Sequence, residues 1–387
     1  MRKMAFLIFF SIVLLVFSLV NYYIFKRGLQ ALAAGSGIRT VYIVVFWTLA
    51  AAFFAGRFLE RIWLGTVSDI LVWTGSFWMG AMLYFFLIVV LFDLLRMVNH
   101  FLPFYPEFVR ANYVQVKQYL LMGSLAVVAL ILLGGYINAR SPRIKTVDIT
   151  IPKASPGMQS LNAAVMSDIH LGTIVGNGRL TRIVQKVNGL NPDIILLPGD
   201  ILDEDLAPVI RQNTGEILRQ LKAPLGVYGV MGNHEYIGGP EEAFKYLREH
   251  GIQMLRDEVM KVNDSFYLIG RDDLHRNQIA GKDRQALEVL IQHTERNYPL
   301  IVMDHQPYHP EVAARAGADL MLSGHTHRGQ LWPLNYIVNA VFEIGYGLGE
   351  IEGMKIYVSN GVGTWGPPVR VGNRPEIVYM KIRFGTE

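Results

Sequence analysis

Five times between residues 163 and 327 a short apolar run ends in a knot of Asp, His or Asn. The runs are AAVMSDIH (163–170), DIILLPGD (193–200), GVYGVMGNHE (226–235), PLIVMDHQP (299–307) and DLMLSGHTH (319–327). Buried strands read this way when their tips carry chemistry, because open α/β sheets place ligands beyond the carboxyl ends of their strands. Asp168, His170, Asp200, Asn233, His305, His325 and His327 are the side chains that oxygen- and nitrogen-preferring metals take. One histidine at a strand end is ordinary packing, but five such tips point to a pair of metal ions used for hydrolysis.

Composition divides the chain. Residues 1–140 hold 11 Lys/Arg against 4 Asp/Glu, whereas residues 141–387 hold 25 against 28. The basic excess thus belongs to the first part, and the second is slightly acidic. That excludes the clustered cations of a nucleic-acid-binding domain. With no cysteine in the chain, disulfides, thiolate metal sites and cysteine nucleophiles are excluded too.

Four apolar stretches predict membrane spans, each crossing needing roughly 20 residues. They are Met4 to Phe25, Val41 to Ala55, Ile70 to Leu95 and Leu120 to Tyr136. A secretory signal would show a shorter apolar core and a small-residue cleavage site. Asp69 and Asp93 stand near the ends of the third stretch and no charge stands mid-span, which argues against transport. Arg2 and Lys3 before the first stretch, and Arg140, Arg143 and Lys145 after the fourth, favour a cytoplasmic C-terminal part. The expectation is a multi-pass membrane protein, of the inner membrane in a bacterium, with a domain of about four helices over 1–140 and a second domain over 141–387.

Beyond Lys145 short strands alternate with amphipathic helices. VDITIP (147–152) reads as an edge strand. Leu180, Ile183, Val184 and Val187 recur at helical spacing, and further helices are expected over 207–221 and 241–250 behind Pro240. Later strands fall at 265–270, 355–360 and 376–384. This order suggests two sheets packed together with helices outside.

Residues 163–372 resemble the calcineurin-like metallophosphoesterases, whose signature is D-x-H, G-D, G-N-H-[DE], H and G-H-x-H. Here these are Asp168-Ile169-His170, Gly199-Asp200, Gly232-Asn233-His234-Glu235, His305 and Gly324-His325-Thr326-His327. The flanking SGHTHRGQ and NGVGTWGPPVR, with the apolar N-terminal part, are similar to the membrane-tethered members. The resemblance implies an α/β domain built as a double β-sandwich flanked by helices. It implies one metal held by Asp168, His170, Asp200 and His327, and another held by Asp200, Asn233, His305 and His325, with Asp200 shared. His234 is implied to be catalytic, facing the leaving group, with Asp168 available to orient it; the alternative is a histidine that only orients its neighbours.

The expected cofactors are two divalent ions, manganese first, with iron, zinc or cobalt as alternatives. The expected activity is metal-dependent hydrolysis of a phosphoester or pyrophosphate. A lipid-linked substrate such as UDP-2,3-diacylglucosamine, of lipid A biosynthesis, is the specific candidate, with membrane lipids as the other partners. Soluble enzymes of that activity typically carry Arg at the place of His234, so kinship would lie with a membrane-bound type. The alternatives are a broad phosphatase or phosphodiesterase acting on non-lipid substrates, and a non-catalytic membrane scaffold. Arg328 and Arg370 stand near enough in sequence to reach a phosphate or to be solvated. Asp272 and Asp273 are either turn residues or support the site, and His309 suits a helix N-cap. The loop around Trp365 suits a cleft wall.

Overall fold

The protein is described by a computed structural model covering residues 2–385; the side chains of Arg2 and Lys3 lie outside the described residues. Among the described residues four helices are long and apolar enough to cross a membrane: Arg2–Leu29, whose candidate span is Ser11–Leu29, Gly37–Ile62, Thr66–Phe101 and Tyr113–Ala139. Each outruns its apolar stretch. The second takes in Arg39, Arg57, Glu60 and Arg61, because hydropathy reads contact with hydrocarbon whereas helical hydrogen bonding continues past it.

Among these helices, the buried amide of Asn21 accepts from the Trp78 indole at 2.9 Å and donates to the Phe17 carbonyl at 2.9 Å. Asp93 pairs with Arg27 at 2.6 Å and Arg96 at 3.2 Å. Polar groups on apolar helices need such partners where water is excluded.

The rest of the chain forms two six-stranded sheets. The first contains β1 (Arg143–Ile151), β2 (Ser160–Val165), β3 (Ile194–Pro198), β4 (Val227–Val230), β5 (Gln253–Met254) and, from the far end of the chain, Glu376–Phe384. The second contains β6 (Glu258–Val262), β7 (Phe266–Gly270), β8 (Leu300–Met303), β9 (Leu320–Ser323), β10 (Gly347–Ile351) and β11 (Met354–Val358). The terminal strand, β12, enters between β1 and β2, parallel to one and antiparallel to the other. The first sheet therefore runs β1-β12-β2-β3-β4-β5 and the second β10-β11-β9-β8-β7-β6.

One apolar core joins the inner faces: Ile149, Leu161, Leu196 and Met380 from the first sheet meet Leu268, Ile301, Leu320 and Tyr357 from the second. A further cluster covers the outer face of the second sheet, where Leu287, Ile291, Ala313 and Ala316 pack on Ile269, Val302 and Ile356. β1 is the expected edge strand, begun four residues early. The helix at Asn177–Asn188 buries Leu180, Ile183, Val184 and Val187 as its spacing predicts. The helix expected over 207–221 is instead two short ones, Ala207–Arg211 and Gly215–Leu218; Asn213 between them takes a left-handed φ of 52°, which stops the first.

The chain separates into two compact units, one running to Tyr136 and including Gly366–Val369, the other comprising Ile137–Trp365 and the chain from Arg370 on. The last turn of the fourth long helix thus belongs to the second unit. Hydrogen bonds hold it there. Asn138 Nδ2 donates to the carbonyls of Arg370 at 2.9 Å and Asn373 at 2.6 Å, and buried Arg179 donates to the Ala139 carbonyl at 2.7 Å.

Asn138→Ala removes the donor from both carbonyls and should destabilise the second unit by about 1–3 kcal/mol. The readout is the thermal midpoint of the full chain in detergent; an unchanged midpoint would show that the tie contributes nothing.

Candidate metal centre

Every motif residue stands just past the carboxyl end of a strand. Asp168 and His170 follow β2, Asp200 follows β3, Asn233 and His234 follow β4, His305 follows β8, and His325 and His327 follow β9. The packing of the two sheets brings these five tips together.

Two groups of donor atoms result. In the first, His170 Nε2 and His327 Nε2 lie 2.9 Å apart, with Asp168 Oδ1 3.4 Å from His327 Nε2 and Asp200 Oδ2 3.8 Å from His170 Nε2. In the second, Asn233 Oδ1 lies 2.8 Å from His325 Nδ1 and 3.2 Å from His305 Nε2, which is 3.1 Å from Asp200 Oδ2. The same Asp200 oxygen borders both. Among the described residues, Asp168–His170–His327 and Asp200–His305–His325 each gather their ligand atoms within 4.8 Å, and so does a third set beside them, His170–Asp203–His234. Asp168 Oδ2 is buried without a hydrogen-bond partner, although buried carboxylate oxygens are nearly always satisfied. A hard, oxygen- and imidazole-preferring cation fits this donor set in both groups.

The backbone is strained to achieve this. Asp168, His170, Asp200, His325 and His327 all take left-handed φ, between 47° and 69°. For residues with a Cβ each such conformation costs of order 1–2 kcal/mol. The strain is held by bonds between tips: Asp168 N donates to Gly199 O at 3.1 Å, His170 N to Asp200 O at 3.1 Å, and His325 N to Asp168 Oδ1 at 2.8 Å.

Motif glycines allow the tips to approach. A Cβ on Gly232 would stand 2.2 Å from Asp200 Oδ1, and one on Gly324 2.3 Å from Asp168 Oδ2. Glu235, fully buried, ties the loops by accepting from Leu202 N and Gly232 N, each at 2.7 Å.

His234 lies beside the donor groups, its ring 4.5 Å from that of His170. Its Nδ1 faces Asp203 at 3.3 Å and Glu204 at 3.8 Å. The carboxylates facing His234 Nδ1 are thus Asp203 and Glu204, whereas Asp168 Oδ1 accepts from His325 N. Asp203 also faces His170 Nδ1 at 3.6 Å, which aims the Nε2 of that ring inward. Its signal in the sequence was the second Asp of Gly199-Asp200-x-x-Asp203.

Trp365 borders His234 with ring centroids 6.0 Å apart and is 47% exposed, so its loop does line the site. Arg370 does not face a phosphate position. It is fully buried, donating to the carbonyls of Gly361 and Gly363 and to His327 Nδ1 at 2.9 Å.

Asp273 holds Gln306 next to His305, and Asp272 accepts from Tyr236 and Arg256; both are buried supports rather than solvated turn residues. His309 is the N-cap of Pro310–Ala316 but its side chain is exposed and pairs with Glu311.

Burial pushes the Asp200 carboxyl up, but His305, His234 and His170 outweigh it and hold it well below the usual carboxylate range. Burial likewise opposes charge on His305, yet Asp200 and Asp168 lift it well above an ordinary histidine. Burial and the neighbouring His305 push His325 down to about 4. Burial, Arg370 and His170 push His327 well below its ordinary value. Burial, joined by the neighbouring Asp200, raises Asp168 against the pull of His305 and His170. On His234 burial is outweighed by Asp200, Asp203 and Glu204, which raise it to about 9. The site thus keeps neutral imidazoles at 325 and 327 around one firmly ionised carboxylate.

Residues 161–329 match the model of the calcineurin-like phosphoesterase family, a span that includes all seven donors and His234. An uncharacterized metallophosphoesterase of Aquifex aeolicus is 32% identical over 65% of this chain and 97% of its own length. The chain belongs to the calcineurin-like metallophosphoesterase family. A transmembrane protein with metallophosphoesterase domain from Danio rerio is 33% identical over 67% of this chain and 62% of its own length. An uncharacterized metallophosphoesterase of Campylobacter jejuni is 28% identical over 98% of this chain and 99% of its own. The chain spans 62% of the length of that Danio rerio protein and 58% of the length of its Bos taurus counterpart.

Asp200→Asn should lower bound metal at both positions, because it weakens the one oxygen they share. Elemental analysis after dialysis against a weak chelator checks this, and loss from one position alone would contradict the sharing.

Proposed function

We propose that the chain is a membrane-anchored, two-metal phosphoesterase, with residues 1–140 as the anchor and residues 141–387 as the hydrolytic domain. The observation that carries this reading is the convergence of seven donor side chains on two adjoining groups that border the same Asp200 oxygen. Asp168, His170, Asp200 and His327 are assigned to one ion, and Asp200, Asn233, His305 and His325 to the other. Manganese is our first choice, with iron, zinc or cobalt as the alternatives that the donors also suit. Two such ions, when bound, acidify a water and neutralise charge on the phosphate.

The remaining roles fall to the chain itself. His234, outside both donor groups, protonates the leaving oxygen, with Asp203 fixing its ring through Nδ1. Trp365 gives the leaving group an aromatic wall. The neutral amide of Asn233 and the neutral rings of His325 and His327 limit negative charge in the centre, which leaves it attractive to an anionic ester.

For substrate we propose a lipid-linked phosphoester or pyrophosphate, with UDP-2,3-diacylglucosamine as the specific candidate. Four apolar helices in the same chain would hold the domain where such substrates are concentrated. The cations Arg140, Arg143 and Lys145 that follow the fourth helix support a cytoplasmic domain.

Chelation should abolish hydrolysis of bis-p-nitrophenyl phosphate by the full chain, and Mn²⁺ should restore it; turnover that persists in a sample shown to be metal-free would exclude the reading. His234→Ala should lower the rate by roughly 10²–10⁴-fold with metal content near normal. Loss of an ion from that variant would make His234 a ligand instead. Fusing cytoplasm-active and export-active reporters in turn to the C-terminus tests sidedness. Signal from the cytoplasm-active fusion is expected, and signal from the other alone would overturn the nucleotide-linked substrate.

A further inference from the structure

The second unit carries a surface that the metal centre does not use. The helix Asn335–Val341 carries no charge; its polar residues are Asn335, half-buried, Asn339, which is exposed, and Tyr336. Val338 and Phe342 turn inward: a Cβ on Gly345 would stand 2.8 Å from Val338, and the Phe342 ring lies 4.7 Å from Tyr308 and 6.2 Å from His325. Tyr336, Ile337 and Val341 turn outward and are 65%, 60% and 57% exposed, and Trp332 at the head of the segment is half exposed. Residues 329–342 contain no charged side chain. A surface helix normally presents charged and polar residues to water, and a group of exposed large apolar side chains without charge marks an interaction site.

Cations flank this helix. The Arg328 guanidinium lies 4.6 Å and the Lys145 ammonium 4.7 Å from the centre of the Tyr346 ring, and Arg143 donates to the Tyr346 hydroxyl at 2.7 Å. Gly329 abuts Leu334 and Asn335, and Gly345 abuts Val338, which sets this group against the helix. Its carboxylate, Glu376, is fully buried under the hydroxyls of Tyr346 and Tyr357 and lies 3.7 Å from Arg143, so three cations stand against one buried acid and the exposed part of the group is positive. Glu343 is the exposed acid next to it in the chain.

We propose that this face seats the second unit on the lipid bilayer. Trp332, Tyr336, Ile337 and Val341 enter the boundary between headgroups and acyl chains, and Arg143, Lys145 and Arg328 meet anionic headgroups. Three observations select lipid as the occupant. Arg143 follows Ala139, the end of the fourth candidate span, by four residues, a reach of at most about 14 Å. Trp and Tyr at the edge of an aliphatic face are the residues that partition to membrane interfaces. The adjoining cations complement an anionic leaflet.

The face is also continuous with the lip of the centre, since Arg328 follows His327 and Phe342 borders His325. Seated this way, the centre opens toward phosphoesters carried by lipid. That consequence rests on the hydrolytic reading, whereas the seating itself does not.

The chain lacks cysteine, so Ile337→Cys and Val341→Cys each place one nitroxide label in the full-length protein. Lys245→Cys, at a side chain 76% exposed on the helix Pro240–Glu249, supplies the aqueous reference. The proteins are reconstituted in nanodiscs of phosphatidylcholine with phosphatidylglycerol, and relaxation by oxygen is compared with relaxation by a water-soluble nickel chelate. The oxygen-to-nickel ratio at 337 and 341 is expected to be several-fold above that at 245. A ratio equal to the reference overturns the proposal. Shielding from both agents, or dipolar broadening between chains, also overturns it and gives the face to a protein partner or a second copy. Metal-dependent hydrolysis of a soluble diester together with an aqueous label would sink the seating alone. A lipid-exposed label on an inactive chain would sink the hydrolytic reading alone.

Discussion

Two cations in adjoining sites repel each other, and in a dry protein interior that repulsion is large unless an anion lies between them. Asp200 is the side chain placed to supply it. It stands at the tip of β3, one strand from β2 and one from β4, with one carboxylate oxygen bordering both donor groups. Its other oxygen accepts the backbone N–H of His234 at 3.0 Å. Neighbouring imidazoles hold it ionised in spite of its burial. The positions of the remaining donors follow from bringing four other strand tips to this one.

That convergence explains features which would otherwise look wasteful. Five of the seven proposed ligands sit in left-handed backbone conformations, and bonds that run between tips hold Asp168, His170 and His325 in place. Gly232 and Gly324 are small because the carboxylates of neighbouring tips occupy the space a side chain would need. Arg370, buried among carbonyls, secures the loop behind His327, and through the Arg370 carbonyl Asn138 joins the end of the fourth long helix to the same loop. The last turn of that helix is therefore part of the framework of the centre, not merely a tether.

Much of this was legible in the sequence. The five tips were readable because buried parallel strands are continuous apolar runs and polar residues at their ends stand out. Four apolar helices were readable from length alone, though not their ends. What escaped was what depends on distant contacts. Asp203 looked like one acid among several in Asp203-Glu204-Asp205, and only the fold places it against His234 and His170. Arg370 looked free to bind phosphate, and nothing local shows that its guanidinium is consumed by carbonyls. The break at Asn213 escaped because apolar spacing continues across it. The outward face of Asn335–Val341 escaped because an uncharged, mostly apolar segment reads as buried.

The account stands on the sharing of Asp200 by two ions. Electron paramagnetic resonance of the full chain titrated with Mn²⁺ reads that sharing directly, since two ions joined through one carboxylate oxygen couple their spins. The account predicts that the spectrum of the loaded protein is that of an exchange-coupled pair and that Asp200→Asn abolishes the coupling. Two bound ions with the spectrum of isolated manganese would contradict it.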